Sequence, residues 1–219
     1  ALTGEFNWRY GPKANQVASS NMKAVLDEGE ISLAMAGLFP RKGSSVEPFL
    51  QLALGMQNIN LAKFPSLLPT KVIGRALGDW ISVAAPVGQV EEAGLIYNGR
   101  PGKRPDSVSQ FARSMSVEAK VSAPFVSYHP KWPKVADLKA DIEATYDKAW
   151  VNVTGGQTSF EGMTQDLSGW QVEVPIYPVN VSRKSGAKKD GFIEINGALS
   201  GAADKLINAV QKAPISLKL

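Results

Sequence analysis

Residues 134–153, KVADLKADIEATYDKAWVNV, carry two different hydrophobic periods. As far as Ala149, the residues Val135, Leu138, Ile142, Tyr146 and Ala149 recur at intervals of mostly three and four, the spacing of one face of an α-helix. Asp137, Asp141, Glu143 and Asp147, with Lys139 and Lys148, then fall on a solvated opposite face. From Trp150 the period shortens, and Trp150-Val151-Asn152-Val153 reads as a strand. This change of period divides the chain into helices before it and a sheet after it.

Working towards the N-terminus, Asp106 opens a helix on which Val108, Phe111, Ala112, Met115 and Ala119 share a face, ended by Pro124. Ser44-Ser45-Val46-Glu47 fits a capping box, in which serine and glutamate satisfy each other's free amides. It predicts a helix over 45–56 with Val46, Phe49, Leu50, Ala53 and Leu54 inward. Thr70 caps a further helix bearing Ile73, Ala76, Leu77 and Trp80. An arm over about 1–20, with Phe6, Trp8 and Tyr10, overlaps a polar helix over 14–26 anchored by Val17, Met22, Val25 and Leu26. Pro86, Gly88, Gly94, Asn98-Gly99, Pro101-Gly102 and Pro105 predict an extended loop over about 85–105, with a tight turn at Asn98-Gly99.

Towards the C-terminus, Gly155-Gly156 begins a polar loop, and Trp170, Val172, Val174 and Ile176 alternate with period two. The phase then shifts to Tyr177, Val179 and Val181. Pro175 and Pro178 place this strand at an edge or a bulge. Phe192-Ile193-Glu194-Ile195 makes a return strand. Ser200 caps a helix carrying Ala203, Leu206, Ile207 and Val210, and Ile215-Ser216-Leu217 lies in a tail over about 212–219. The expected fold is α+β, a single domain over 1–219 in which helices mainly within residues 14–149 pack with a small, largely antiparallel sheet mainly from residues 150–219. At 219 residues the chain is about one and a half times the ~150 of an average domain.

Composition narrows the chemistry. There is no cysteine and a single histidine, His129, so Cys/His zinc sites, iron–sulfur clusters and disulfides are excluded. No P-loop, dinucleotide fingerprint or Gly-x-Ser-x-Gly elbow occurs. Ser20-Asn21-Met22-Lys23 matches Ser-x-x-Lys but lacks its partner motifs. His129 sits between prolines with no orienting group in the sequence, and the carboxylates at 137, 141, 143 and 147 read as a solvated helix face. No catalytic, cofactor or metal site is expected, and the chain is not expected to be an enzyme.

The net charge is +4, and many of the positive residues sit in loops beside aromatics. Arg9 neighbours Trp8 and Tyr10; Arg100, Lys103 and Arg104 follow Tyr97; Lys131, Trp132 and Lys134 follow Tyr128; Arg183, Lys184, Lys188 and Lys189 share one loop. These are the candidate nucleic-acid contacts, because cations neutralise phosphates and rings stack on bases. Gly and Pro together number 34, which predicts defined arms around a core. With no chemistry and no apolar run of membrane-spanning length, the expected function is a structural subunit of a large assembly, a capsid or tail component of a virus or phage. The alternative is a nucleic-acid-binding protein. The partners expected are copies of itself, other subunits and nucleic acid, with no membrane. The opening residues lack a signal-peptide pattern, so production in the cytoplasm followed by residence in a virion is expected.

Overall fold

A computed structural model describes residues 1–27, 29–67, 82–101, 113–128, 132–145, 148–175 and 194–212. Almost all of it is one antiparallel sheet of twelve strands. In chain order these are β1 (Leu2–Thr3), β2 (Asn7–Arg9), β3 (Ala14–Leu26), β4 (Gly29–Pro40), β5 (Phe49–Asn60), β6 (Gln89–Gly99), β7 (Arg113–Val126), β8 (Val135–Ala144), β9 (Lys148–Phe160), β10 (Met163–Asp166), β11 (Gln171–Pro175) and β12 (Glu194–Asn196). Two short helices accompany them, α1 (Phe64–Leu67) after β5 and α2 (Ala203–Lys212) after β12. From β3 to β9 each strand pairs with the next in sequence. β1 and β2 share one edge of β3, and β11 joins β9 to β12 at the other side. Among the described residues no pairing joins the two edges, so the sheet is open.

The expected α+β fold is therefore corrected. Residues 14–26, 49–56, 113–119 and 135–144, all read as helical, are strands. The Asn98-Gly99 turn and the core of the 85–105 loop are the end of β6, and Gly155-Gly156 lies within β9. The supposed capping box holds no helix: Ser44 Oγ instead accepts from the Val46 amide two residues on, at 3.1 Å. The helix at Thr70, the start of the Asp106 helix, Pro178 and Ile215–Leu217 lie outside the described residues. The sequence did reveal the Trp150–Val153 strand, the Val172–Val174 alternation and α2.

β-bulges explain the false helical spacing. A bulge adds one residue to a strand, so two successive inward side chains stand three apart instead of two. In β8 the register shifts between Ala136 and Lys139, with Asp137 at a φ of 51°. Val135 and Leu138 thereby both reach the core at an interval of three. In β5, Asn58 has a φ of 56°, separating buried Met56 from buried Ile59. β3 shifts between Ser19 and Met22, and the β6–β7 pairing between Val90 and Glu92.

The best-buried core gathers at one end of the sheet, where β5 finishes and β6 begins. Ile59 and Val90, paired across those strands, are wholly buried and touch a cluster including Met56, Leu61, Ala84, Ala123, Val126, Val135, Val153 and Leu167. Phe64 and Leu67 of α1, with Ala85, pack against this cluster. Main-chain bonds hold this cover down: the Leu61 amide donates to Gly88 O at 3.0 Å and the Ser127 amide to Ala84 O at 2.7 Å. Burial pushes the nearby Tyr128 phenol up to about 12, because the interior disfavours the phenolate. Farther along, Gln165 of β10 clamps the approach to α2, donating to Ser200 O at 2.8 Å and accepting from the Ser200 amide at 3.0 Å.

Candidate functional site: the apolar face of the sheet

Directly paired residues of an antiparallel ladder project to the same face. Following the registers across the sheet gives Leu2, Ala24, Ile31, Met56, Ala93, Ala119, Ile142, Val151, Val172 and Ile195 as one row. All ten are apolar. Two residues along, the next row on the same face is Met22, Leu33, Leu54, Leu95, Val117, Ala144, Ala149 and Val174. A third, shorter row runs Ser19, Met35, Leu52, Tyr97 and Met115. At about 4.8 Å per strand the first row is about 43 Å long.

The intervening rows face the other way; the two flanking the first row are mainly polar, while the one between the second and third rows carries Ala34, Ala53, Ile96 and Ser116. Lys23, Ser32, Gly55, Gly94, Glu118, Glu143, Trp150, Glu173 and Glu194 form one of them, with Glu30, Gln57, Glu92, Lys120, Asp141, Asn152, Gln171 and Asn196 in its neighbour. Ion pairs lace this back: Lys23 with Glu30 at 2.6 Å and Lys120 with Glu92 at 3.6 Å. The apolar face has no second sheet behind it among the described residues. α1 and its neighbours cover it at the Ile59–Val90 end, whereas Leu33, Leu50, Leu52, Leu54, Met115 and Val117 stay only partly buried. At the β3 edge, Leu2, Phe6 and Trp8 are exposed. Leu2 opposes Ala24 and Trp8 opposes Val17, so these side chains carry the apolar face out to its rim.

On the polar back, Glu173 joins β9 to β11 by its ion pair with Lys148 and by accepting from Trp150 Nε1 at 3.1 Å. The Lys148 ammonium, first as hydrogen-bond donor and then as a charge, holds the Glu173 carboxyl below its ordinary range, aided by Trp150. A depressed carboxylate stabilises the fold above its unfolded pKa, and that contribution disappears as pH falls through the folded value. Glu173→Gln is therefore expected to lose less stability than the parent between pH 7 and about pH 3, measured from urea midpoints at each pH. Identical pH profiles would show that the bridge is fully screened.

The structure separates the basic loops. Arg9 on β2 and Arg100 just after β6 sit at the end where β3 begins, with Arg100 paired to Glu47 at 3.0 Å. Trp132 and Lys134 sit at the opposite end, near the start of β8; Trp132 lies 5.7 Å from Tyr128, ring to ring, and Lys134 6.0 Å from the Phe125 ring. Lys103, Arg104, Lys131, Arg183, Lys184, Lys188 and Lys189 lie outside the described residues, as does His129. Asp141 and Glu143 belong to β8 rather than to a chelating helix face. Among the described residues no group of acids and histidine is placed to hold a metal ion, and no helix is long and apolar enough to cross a membrane. Sequence reasoning missed the apolar rows, together with Asn15, Arg41 and Lys42 at their rim. The run Ile31–Phe39 leading into Arg41-Lys42 was the available signal.

An open sheet, apolar on one side and charged on the other, defines a class of scaffold whose ligand-sized feature is a face rather than an enclosed chemical centre. The YhdP protein family model matches residues 1–219, and the chain belongs to that family. The intermembrane phospholipid transporter YhdP of Escherichia coli strain K12 is 25% identical over 109 residues, which is 50% of this chain and 8% of that protein. The match thus spans less than a tenth of the relative's length. No solved structure matches the chain. Family membership and this relative overturn the expected virion subunit and its nucleic-acid-binding alternative. They likewise overturn a partner set without membranes and a location in the cytoplasm and then the virion. The physical reason for the error is that, among the described residues, much of the Gly and Pro surplus falls within or at the ends of the strands of one long sheet, as at Gly29, Pro40, Gly99 and Gly155-Gly156.

Proposed function

We propose that the apolar face carries the acyl chains of a phospholipid, and that the chain is a segment of a machine moving lipid between membranes. The observation that carries this reading is the ten-strand row from Leu2 to Ile195, apolar throughout and backed by polar rows. Burying a methylene is worth about 0.8 kcal/mol, so an extended acyl chain against such rows is held without any specific polar contact. The named relative supports the same substrate class. The work is carriage rather than catalysis, and no covalent step is required.

Photo-crosslinking in cells tests this directly. A benzophenone amino acid at Leu54 is expected to capture radiolabelled phospholipid, whereas the same group at Gln57, on the opposite face by strand parity, is expected to capture little. Equal labelling at the two positions would show that the face has no special affinity for lipid.

A further inference from the structure

Three side-chain polar atoms are shut away from solvent with no hydrogen-bond partner among the described residues: Arg41 Nη2, Asn15 Oδ1 and Ser19 Oγ. Arg41 and Asn15 belong to one corner of the apolar face, whereas Ser19 lies four residues farther along β3, about 13 Å from Asn15. Asn15 and Ser19 stand on β3 opposite Phe39 and Met35 of β4. Arg41, whose amide donates to Lys13 O at 3.0 Å, continues that alternation one level beyond Phe39. Buried polar groups are nearly always paired, so the two neighbouring orphans, Arg41 Nη2 and Asn15 Oδ1, indicate a polar group that this corner is built to receive.

Its charge defines that group. The Arg41 guanidinium lies 3.7 Å from the centroid of the Tyr10 ring, which stacks the planar fork on the ring face. Lys13 and Lys42 flank it and are exposed. Residues 6–26 and 31–46, which build the corner, contain no Asp or Glu. A guanidinium fork matches a phosphate bidentately, while the Asn15 side-chain carbonyl accepts from a hydroxyl donor.

We infer that the corner formed by Arg41 and Asn15 binds the phosphate and a hydroxyl of an anionic glycerophospholipid headgroup whose acyl chains lie along the apolar rows. This rests on the acyl-binding reading above and adds headgroup selection to it. Arg41 grips the phosphate, Lys13 and Lys42 supply long-range attraction, and Asn15 faces the polar part of the lipid as it enters the face.

The test titrates the 219-residue chain with phosphatidylglycerol and with diacylglycerol, each bearing the same pyrene-labelled chain, in detergent micelles. Phosphatidylglycerol is expected to bind about tenfold tighter, as charge-assisted bidentate bonds are lost with the headgroup. Arg41→Gln is expected to bring phosphatidylglycerol down to the diacylglycerol level and leave diacylglycerol binding unchanged, which also certifies the fold of the variant. Should that variant fail to fold, Asn15→Leu provides the second reading and is expected to narrow the preference. Equal affinities in the parent chain would overturn the inference while leaving acyl binding intact. A proportional loss of both probes in Arg41→Gln, or displacement of phosphatidylglycerol by inorganic phosphate at matched ionic strength, would overturn it as well. Binding of neither probe would defeat the acyl-binding reading and this inference together.

Discussion

Ile59→Ala is expected to lower the unfolding free energy by about 3–4 kcal/mol, near the upper part of the range for emptying a buried aliphatic site. Ile59 is wholly buried, and its cross-strand partner Val90 is equally so. Their neighbours include residues from β7, β8 and β9 as well as Leu61 and Ala84, so the void would be walled by several strands that cannot all close on it. Leu54→Ala, four positions before the Asn58 bulge, is expected to cost only about 1–2 kcal/mol, since Leu54 is partly buried and its transfer contribution is correspondingly smaller. Urea denaturation of the two variants measures the contrast. Equal losses would mean that the whole apolar face is packed as a dry core, and would count against its use as a binding surface.

Gly88→Ala is the second large effect. Gly88 has a φ of +149°, and a Cβ there would meet Ser122 O at 2.5 Å and the Leu61 side chain at 2.6 Å. The carbonyl contact belongs to backbone and cannot swing aside. Unfavourable φ costs about 1–3 kcal/mol by itself, so a total loss of about 3 kcal/mol or more is expected. Because Gly88 O also receives the Leu61 amide, the strain falls on the cover formed by α1. Hydrogen exchange at residues 61–67 is therefore expected to accelerate beyond the global change, and unchanged protection there would show that the cover is held by other contacts.

Only a few elements near the C-terminus could be read from single segments. Val172 and Val174 alternate against polar Gln171 and Glu173, and α2 places Ala203, Leu206 and Ile207 at helical intervals, because in both places the two faces differ in polarity and no extra residue intervenes. β4 and β5 are harder. Their outward positions carry Ala34, Ala36 and Ala53, so both faces look apolar and the period of two fades. In β8, the residue inserted around Asp137 converts alternation into a three-residue step, and the next acidic residues complete an apparent amphipathic helix. The candidate site was hidden for a different reason. Each of its rows takes one side chain from each of up to ten separate segments, and that alignment exists only once the registers are known. The cationic corner was half visible: the basic character around Trp8, Tyr10 and Lys13 was legible, but Arg41 joins it only through the β3–β4 pairing.

The rows have a mechanical consequence. Along them, successive strands present comparable side chains at the same height: Leu33, Leu54, Leu95 and Val117 in one row, Ile31, Met56, Ala93 and Ala119 in the other. An acyl chain displaced by one strand spacing, about 4.8 Å, trades one set of methyl contacts for a near copy. Lifting the same chain off the sheet exposes every methylene to water at once. On the proposed reading the landscape is steep away from the face and shallow along it, so the sheet would confine a lipid to a line while offering little resistance to travel down that line.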